Sequence, residues 1–144
     1  FTSKDFAKYH PGGALGKRLY LRVSDLVKNN LVPKVDETDS IAKVIVEISE
    51  KRLGVTAVMD ADKLVGIITD GDIRRMLSKT TQITEFTAKN IMGKNPKTID
   101  EDAMAIDALN TMENNSITQM LVINNDNNYV GVVHLHDLIK EGIF

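Results

Sequence analysis

A strand-turn-helix stretch occurs twice in this chain, and that repetition constrains the fold more than any single residue does. Leu64 to Leu77 reads Leu-Val-Gly-Ile-Ile-Thr-Asp-Gly-Asp-Ile-Arg-Arg-Met-Leu, and Tyr129 to Ile139 reads Tyr-Val-Gly-Val-Val-His-Leu-His-Asp-Leu-Ile. The two align at a spacing of 65, Gly66 on Gly131 and Asp72 on Asp137. Four of the five residues from Leu64 to Ile68 are branched aliphatics, which suits a strand covered on both faces. Asp70-Gly71 reads as a turn, and Asp72 stands where a helix N-cap belongs, ahead of an Ile73, Met76, Leu77 stripe.

The repeat extends upstream of each copy. Val23-Ser24-Asp25-Leu26-Val27 answers Ala88-Lys89-Asn90-Ile91-Met92 as a short helical turn, and Pro33 to Glu37 answers Pro96 to Glu101. A helix follows whose apolar stripe is Ile41, Val44, Ile45 and Ile48 in the first copy and Ala105, Ala108, Leu109 and Met112 in the second. Thr56 to Met59 and Met120 to Ile123 are short apolar strands, closed by turns at residues 60–63 and 124–128. Each unit is strand, helix, strand, strand, helix in about 55 residues, too small to cover its own apolar surface, so two copies are expected to share one core. The expected fold class is α+β: residues 1–22 as a connector, 23–79 as the first unit, 80–87 as a linker and 88–141 as the second unit.

Composition narrows the function. Net charge is −2 and the pI is near 5.9, which argues against non-specific nucleic-acid binding and leaves no basic membrane patch. There is no cysteine, so disulfides, thiolate catalysis and Cys-ligated zinc are excluded. No apolar run approaches the roughly 20 residues of a membrane helix, and no basic-then-apolar signal segment opens the chain, so a cytoplasmic location is expected. The first residue is Phe1 rather than Met, as expected of a piece of a longer protein.

The Gly-aliphatic-aliphatic-Thr-x-x-Asp corner in a tandem β-α-β-β-α unit resembles the cystathionine-β-synthase (CBS) domain pair over residues 23–141. The resemblance implies a pseudo-twofold module with a cleft between two sheets that commonly binds an adenine nucleotide. Thr69 and Asp72 occupy the motif positions in the first copy; in the second, His134 replaces the Thr and Asp137 is retained. Asp5-Phe6-Ala7, His10-Pro11-Gly12-Gly13-Ala14-Leu15-Gly16-Lys17-Arg18-Leu19 and both corner sequences are similar to bacterial D-arabinose-5-phosphate isomerases. That resemblance implies a parent enzyme with a sugar isomerase (SIS) domain upstream, interconverting ribulose 5-phosphate and arabinose 5-phosphate for 3-deoxy-D-manno-octulosonate (Kdo) synthesis in the lipopolysaccharide and capsule pathways. It also implies that His10 contributes to catalysis in that parent only. An adenine or cytidine nucleotide, or CMP-Kdo, is the implied regulatory ligand, with no cofactor required; the SIS domain and a second copy of the module are the implied partners.

The candidate site residues carry two readings each. Thr69 and Asp72 offer a hydroxyl, a carboxylate and free backbone N–H groups at a helix N-terminus, which suits a ribose and its phosphate; the plainer reading is a helix cap worth about 1 kcal/mol. Arg74 and Arg75 oppose the helix dipole unless an anion is near, and are otherwise solvated charge. His134 and His136 would share a face if the strand runs on that far, but without a third His or any Cys they favour ligand contact or packing over metal. His10 is a natural general base, yet has no partner groups here. Two functions remain: a nucleotide-binding regulatory module of a sugar-phosphate isomerase, and a structural module that organises subunits without a ligand.

Overall fold

The structure, a computed structural model, describes residues 20–143; the connector residues 1–19, with His10, lie outside the described residues, as does Phe144. Its elements are α1 (Val23–Val27), β1 (Lys34–Asp36), α2 (Ile41–Lys51), β2 (Val55–Asp60), β3 (Lys63–Thr69), α3 (Asp70–Lys79), α4 (Ala88–Ile91), β4 (Gly93–Lys94), β5 (Thr98–Asp100), α5 (Ala105–Asn115), β6 (Gln119–Ile123), β7 (Tyr129–His134) and α6 (Leu135–Lys140). The linker contains one 3₁₀ turn, Ile83–Glu85. The α+β class expected from the repeat is what forms.

Two sheets result, β1-β2-β3-β4 and β5-β6-β7, each opening with a parallel pair followed by an antiparallel hairpin. The strand periodicity of two places Val58, Ile68 and Val35 on one face of the first sheet, against Val44 and Ile48 of α2. Val55, Ala57 and Ile67 occupy the other face, against Leu121 and Val132 of the second sheet. β3 is therefore covered on both faces, as its aliphatic run required. On α2, Ser40 accepts the Lys43 N–H at 3.2 Å, and Ile41, Val44 and Ile48 are buried. Ile45, expected in the same stripe, is 36% exposed. It lies about 100° further round the helix than Val44, beyond the face that meets the sheet.

The packed units do not coincide with the sequence repeats. α1 opens the first repeat, yet Val23, Leu26 and Val27 are buried with Ala105, Leu109, Met112 and Leu138 of the second. α4 opens the second repeat, yet Ala88 is buried with Val35, Val58 and Ile68 of the first. Backbone bonds fix the exchange. The first N–H groups of a helix lack partners within it, and those of Val23 and Ser24 donate to the Ala103 and Glu101 carbonyls, both at 2.9 Å. Those of Ala88 and Lys89 donate to Asp39 and Glu37 in the same way, both at 2.9 Å. Each motif glycine is where the exchanged segment arrives. A Cβ on Gly131 would lie 2.5 Å from Val27 Cγ1, and one on Gly66 would strike the Met92 side chain and approach the Gly93 carbonyl to 3.0 Å.

Candidate functional site

The first corner is a capping box shifted three residues from the sequence expectation. The N-cap of α3 is Thr69, not Asp72, and Asp70-Gly71 forms the first turn of the helix rather than a preceding turn. Two reciprocal bonds explain the shift: the Thr69 hydroxyl accepts the Asp72 N–H at 3.2 Å, and the Asp72 carboxylate accepts the Thr69 N–H at 2.9 Å. The Thr69 hydroxyl lies 3.1 Å from the same carboxylate oxygen. The other Asp72 oxygen takes an ion pair from Arg75, one helical turn on. That pair answers the question raised by two cations in a first turn, and Arg74 beside it is exposed.

The second corner performs the same operation with different groups. His134 is the N-cap of α6, its Nδ1 accepting the His136 N–H at 2.9 Å while its own N–H donates to Asp137 at 2.8 Å. The His134 and His136 rings stack, with centroids 4.7 Å apart and an interplanar angle of 7°. Burial, then the neighbouring His136, hold the His134 pKa below its usual value, with Asp137 opposing. A neutral ring is what an accepting Nδ1 requires. Asp137 also receives the Asn30 side-chain amide at 2.9 Å, and the same nitrogen donates to the Val132 carbonyl at 3.0 Å. Asn30 follows α1 and has no place in the sequence pattern; nothing local marks a contact made across 107 positions. Among the described residues no group of three or more His, Cys, Asp or Glu is disposed to hold a metal.

The corners stand on the face where the sheets meet. Thr69 pairs with Val55, and His134 with Gln119. Gln119 spans the repeats, its amide donating to the Leu53 carbonyl at 3.1 Å. Gly54 beside it has φ +72, and an added Cβ would lie 3.0 Å from that amide and 3.2 Å from Asp70. Lys34 pairs with Ala57, whose N–H reaches the Pro33 carbonyl at 3.3 Å. Ala57 pairs in turn with Ile67, so the start of β1 and the Thr69 corner are two strand spacings and two residues, about 12 Å, apart on one face. Beside β1 a groove of about 560 Å³ opens, lined by Lys34, Val35, Asp39, Met59, Asn128 and Tyr129. The Tyr129 hydroxyl donates to Pro33 O at 2.6 Å. The sequence motifs do not single out Tyr129, although its counterpart in the first repeat, Leu64, breaks the match.

The CBS domain family profile matches residues 23–79 and 88–143. Arabinose 5-phosphate isomerase KdsD of Francisella tularensis is 46% identical over 141 residues, 97% of this chain, but the chain spans only 43% of that relative's length. The KdsD of Pseudomonas aeruginosa is 39% identical over 99% of this chain and 44% of its own length. Among solved structures, a CBS domain protein from Pyrobaculum aerophilum complexed with AMP superposes with a TM-score of 0.74 at 25% identity, over 82% of this chain and 90% of that one.

Proposed function

The chain belongs to the CBS domain family, as a tandem pair, and on that premise we propose that it is the regulatory module of an arabinose-5-phosphate isomerase, binding an adenine or cytidine nucleotide at its first corner. The observation that carries the reading is the Thr69–Asp72 constellation. A hydroxyl, a carboxylate and the N-terminus of a ten-residue helix stand on the face shared by the two repeats, where a related pair is described with AMP. Asp72 accepts from the ribose hydroxyls, and the Thr69 hydroxyl with the Gly71 N–H meets the phosphate, the Asp70 and Asp72 N–H groups being already given to the Gly54 carbonyl and to Thr69. Arg74 and Arg75 supply positive charge; Arg75 leaves Asp72 for the phosphate when a nucleotide enters. His134 and Asp137 form the weaker, second site. In this reading the parent carries an SIS domain upstream, in which His10 serves the isomerisation, while this module senses a ligand such as AMP or CMP-Kdo; the kinship with arabinose 5-phosphate isomerases supports it. A second copy of the module is a further partner, through the half-exposed Leu77 and Ile139.

Calorimetric titration with AMP, ATP, CMP and CMP-Kdo tests the reading. Asp72→Asn keeps an acceptor for the Thr69 N–H but loses the charge, so affinity should fall about tenfold or more while thermal stability changes little. No binding at millimolar ligand, or binding indifferent to Asp72→Asn, removes the proposal. One observation favours the alternative, a structural module without a ligand: both Asp72 oxygens already have partners within the chain.

A further inference from the structure

We infer that Tyr129 selects the ligand of the groove beside β1: its oxygen acts there purely as an acceptor, favouring a base that presents an amino group over one that presents a carbonyl. The inference rests on the nucleotide reading above and names the class of base that the site takes.

The hydroxyl has one proton, and the 2.6 Å bond commits it to the Pro33 carbonyl. That carbonyl has two lone pairs, and the Ala57 N–H uses the second at 3.3 Å. Pro33 O is therefore saturated, and no ligand donor can claim it. The Tyr129 oxygen retains lone pairs and no free hydrogen. Burial first, and the charge of Glu47 second, push the phenol pKa up, so the committed proton stays in place across working pH. A ligand edge that meets this oxygen gains a hydrogen bond if it is N–H and suffers lone-pair repulsion if it is C=O. Adenine and cytosine offer an amino group at the position where hypoxanthine and uracil offer an oxygen.

The groove's size suits such an occupant. At about 560 Å³ it lies within the usual range of small-molecule sites, with Val35 and Met59 as apolar wall and the Tyr129 ring as a flat surface. The start of β1 is about 12 Å from the Thr69 corner on the same face, two strands across and two residues along, so a base here leaves its phosphate side to extend past the groove's own lining toward α3. The pseudo-equivalent groove of the second repeat, about 730 Å³, has Leu64 where this one has Tyr129, and so lacks the acceptor. Only the first cleft is built to discriminate.

Calorimetric Kd values for AMP against IMP and CMP against UMP, measured on the wild-type chain and on Tyr129→Phe, test the inference. Phe keeps the ring, whose edge still shields the Pro33 carbonyl from a ligand, and removes the hydroxyl, that is the acceptor together with its bond to that carbonyl. The wild type should favour the amino member of each pair by about tenfold, and Tyr129→Phe should bring both ratios to within about twofold, with the melting temperature lowered by about 2–5 °C for the lost bond to Pro33. Equal affinities in the wild type, or a preference that survives Tyr129→Phe, overturn the role of Tyr129 while leaving nucleotide binding intact. Failure of all four ligands to bind the wild type at millimolar concentration overturns the cleft reading itself, and this inference with it.

Discussion

Gly131→Ala tests the exchanged architecture directly. The added Cβ would lie 2.5 Å from Val27 Cγ1, whereas carbon atoms pack best at about 3.5–4.0 Å, so the two groups must part by about 1 Å. Neither yields easily. A helical Val has one strongly preferred χ1 rotamer, and α1 is tied at its start to the Glu101 and Ala103 carbonyls. Overpacking of this kind costs about 1–3 kcal/mol, which for a chain of this size lowers the melting temperature by roughly 3–10 °C.

The diagnostic step is to pair it with Val27→Ala. That change alone loses two methyl-sized groups from a buried site, about 1.5–2.5 kcal/mol, but it clears the space that the methyl group added in Gly131→Ala needs. The double variant should recover the overpacking part of the Gly131→Ala loss and retain only the strain of an L residue at the Gly131 φ of +158, although the two positions stand in different sequence repeats. Urea unfolding of the four proteins measures the coupling. Losses that sum to within about 0.5 kcal/mol, or a Gly131→Ala protein as stable as the wild type, would refute the packing of α1 against β7.

Three further outcomes are expected. His134 has a folded pKa below its ordinary 6.5, so its contribution is complete above that value and is lost as pH falls through the folded pKa; His134→Thr, which restores the first repeat's cap, should flatten that part of the stability profile, and an unchanged profile would contradict the neutral cap. Asn30→Ala should cost about 1–3 kcal/mol by removing both donated bonds, and Asn30→Asp more at pH 7 than at pH 4, because it sets a second carboxylate against Asp137; equal losses at both pH values in urea titrations would mean that the Asp137 contact contributes nothing. Leu77→Glu and Ile139→Glu should dissociate the dimer proposed above, and sedimentation of the unaltered chain at its 16.0 kDa monomer mass would dispose of that dimer.

What the sequence discloses is what depends on local periodicity. The strands, the two longer stripe helices and their duplication follow from alternation, helical spacing and turn residues, each readable within a window of about a dozen positions. The cap is misplaced in such a reading because Asp72 alone looks like an N-cap; the pattern Thr69-x-x-Asp72 is itself a capping-box signature and contains the correction. The exchange of α1 and α4 leaves no such trace. An apolar face specifies that a helix is covered, not by which of two similar cores, and the choice is made by backbone bonds such as Val23 to Ala103. Asn30, Gln119 and Tyr129 are unreadable for a related reason: each acts on a residue far along the chain. Tyr129 alone leaves a signal, as a polar aromatic where the other repeat has Leu64.

The two corners share a motif carboxylate but differ in what a ligand would have to displace. At the first, Asp72 is held by Arg75 of its own helix, whose side chain is 68% exposed. An exposed ion pair is worth only about 0–1 kcal/mol, and its loss disturbs no other element. At the second, Asp137 is held by a partly buried amide that also satisfies the Val132 carbonyl, so removing Asn30 takes a donor from two acceptors at once, Asp137 keeping only the His134 N–H. Asn30 lies on the short connector that runs on to Pro33, where Tyr129 fastens it again. Opening the second corner therefore loosens the connector at the margin of the first groove, whereas opening the first corner leaves the second untouched. Exchange of a ligand for an internal contact is cheap only at Asp72. This asymmetry, rather than the replacement of Thr by His, is the stronger physical reason to expect one occupied corner per chain.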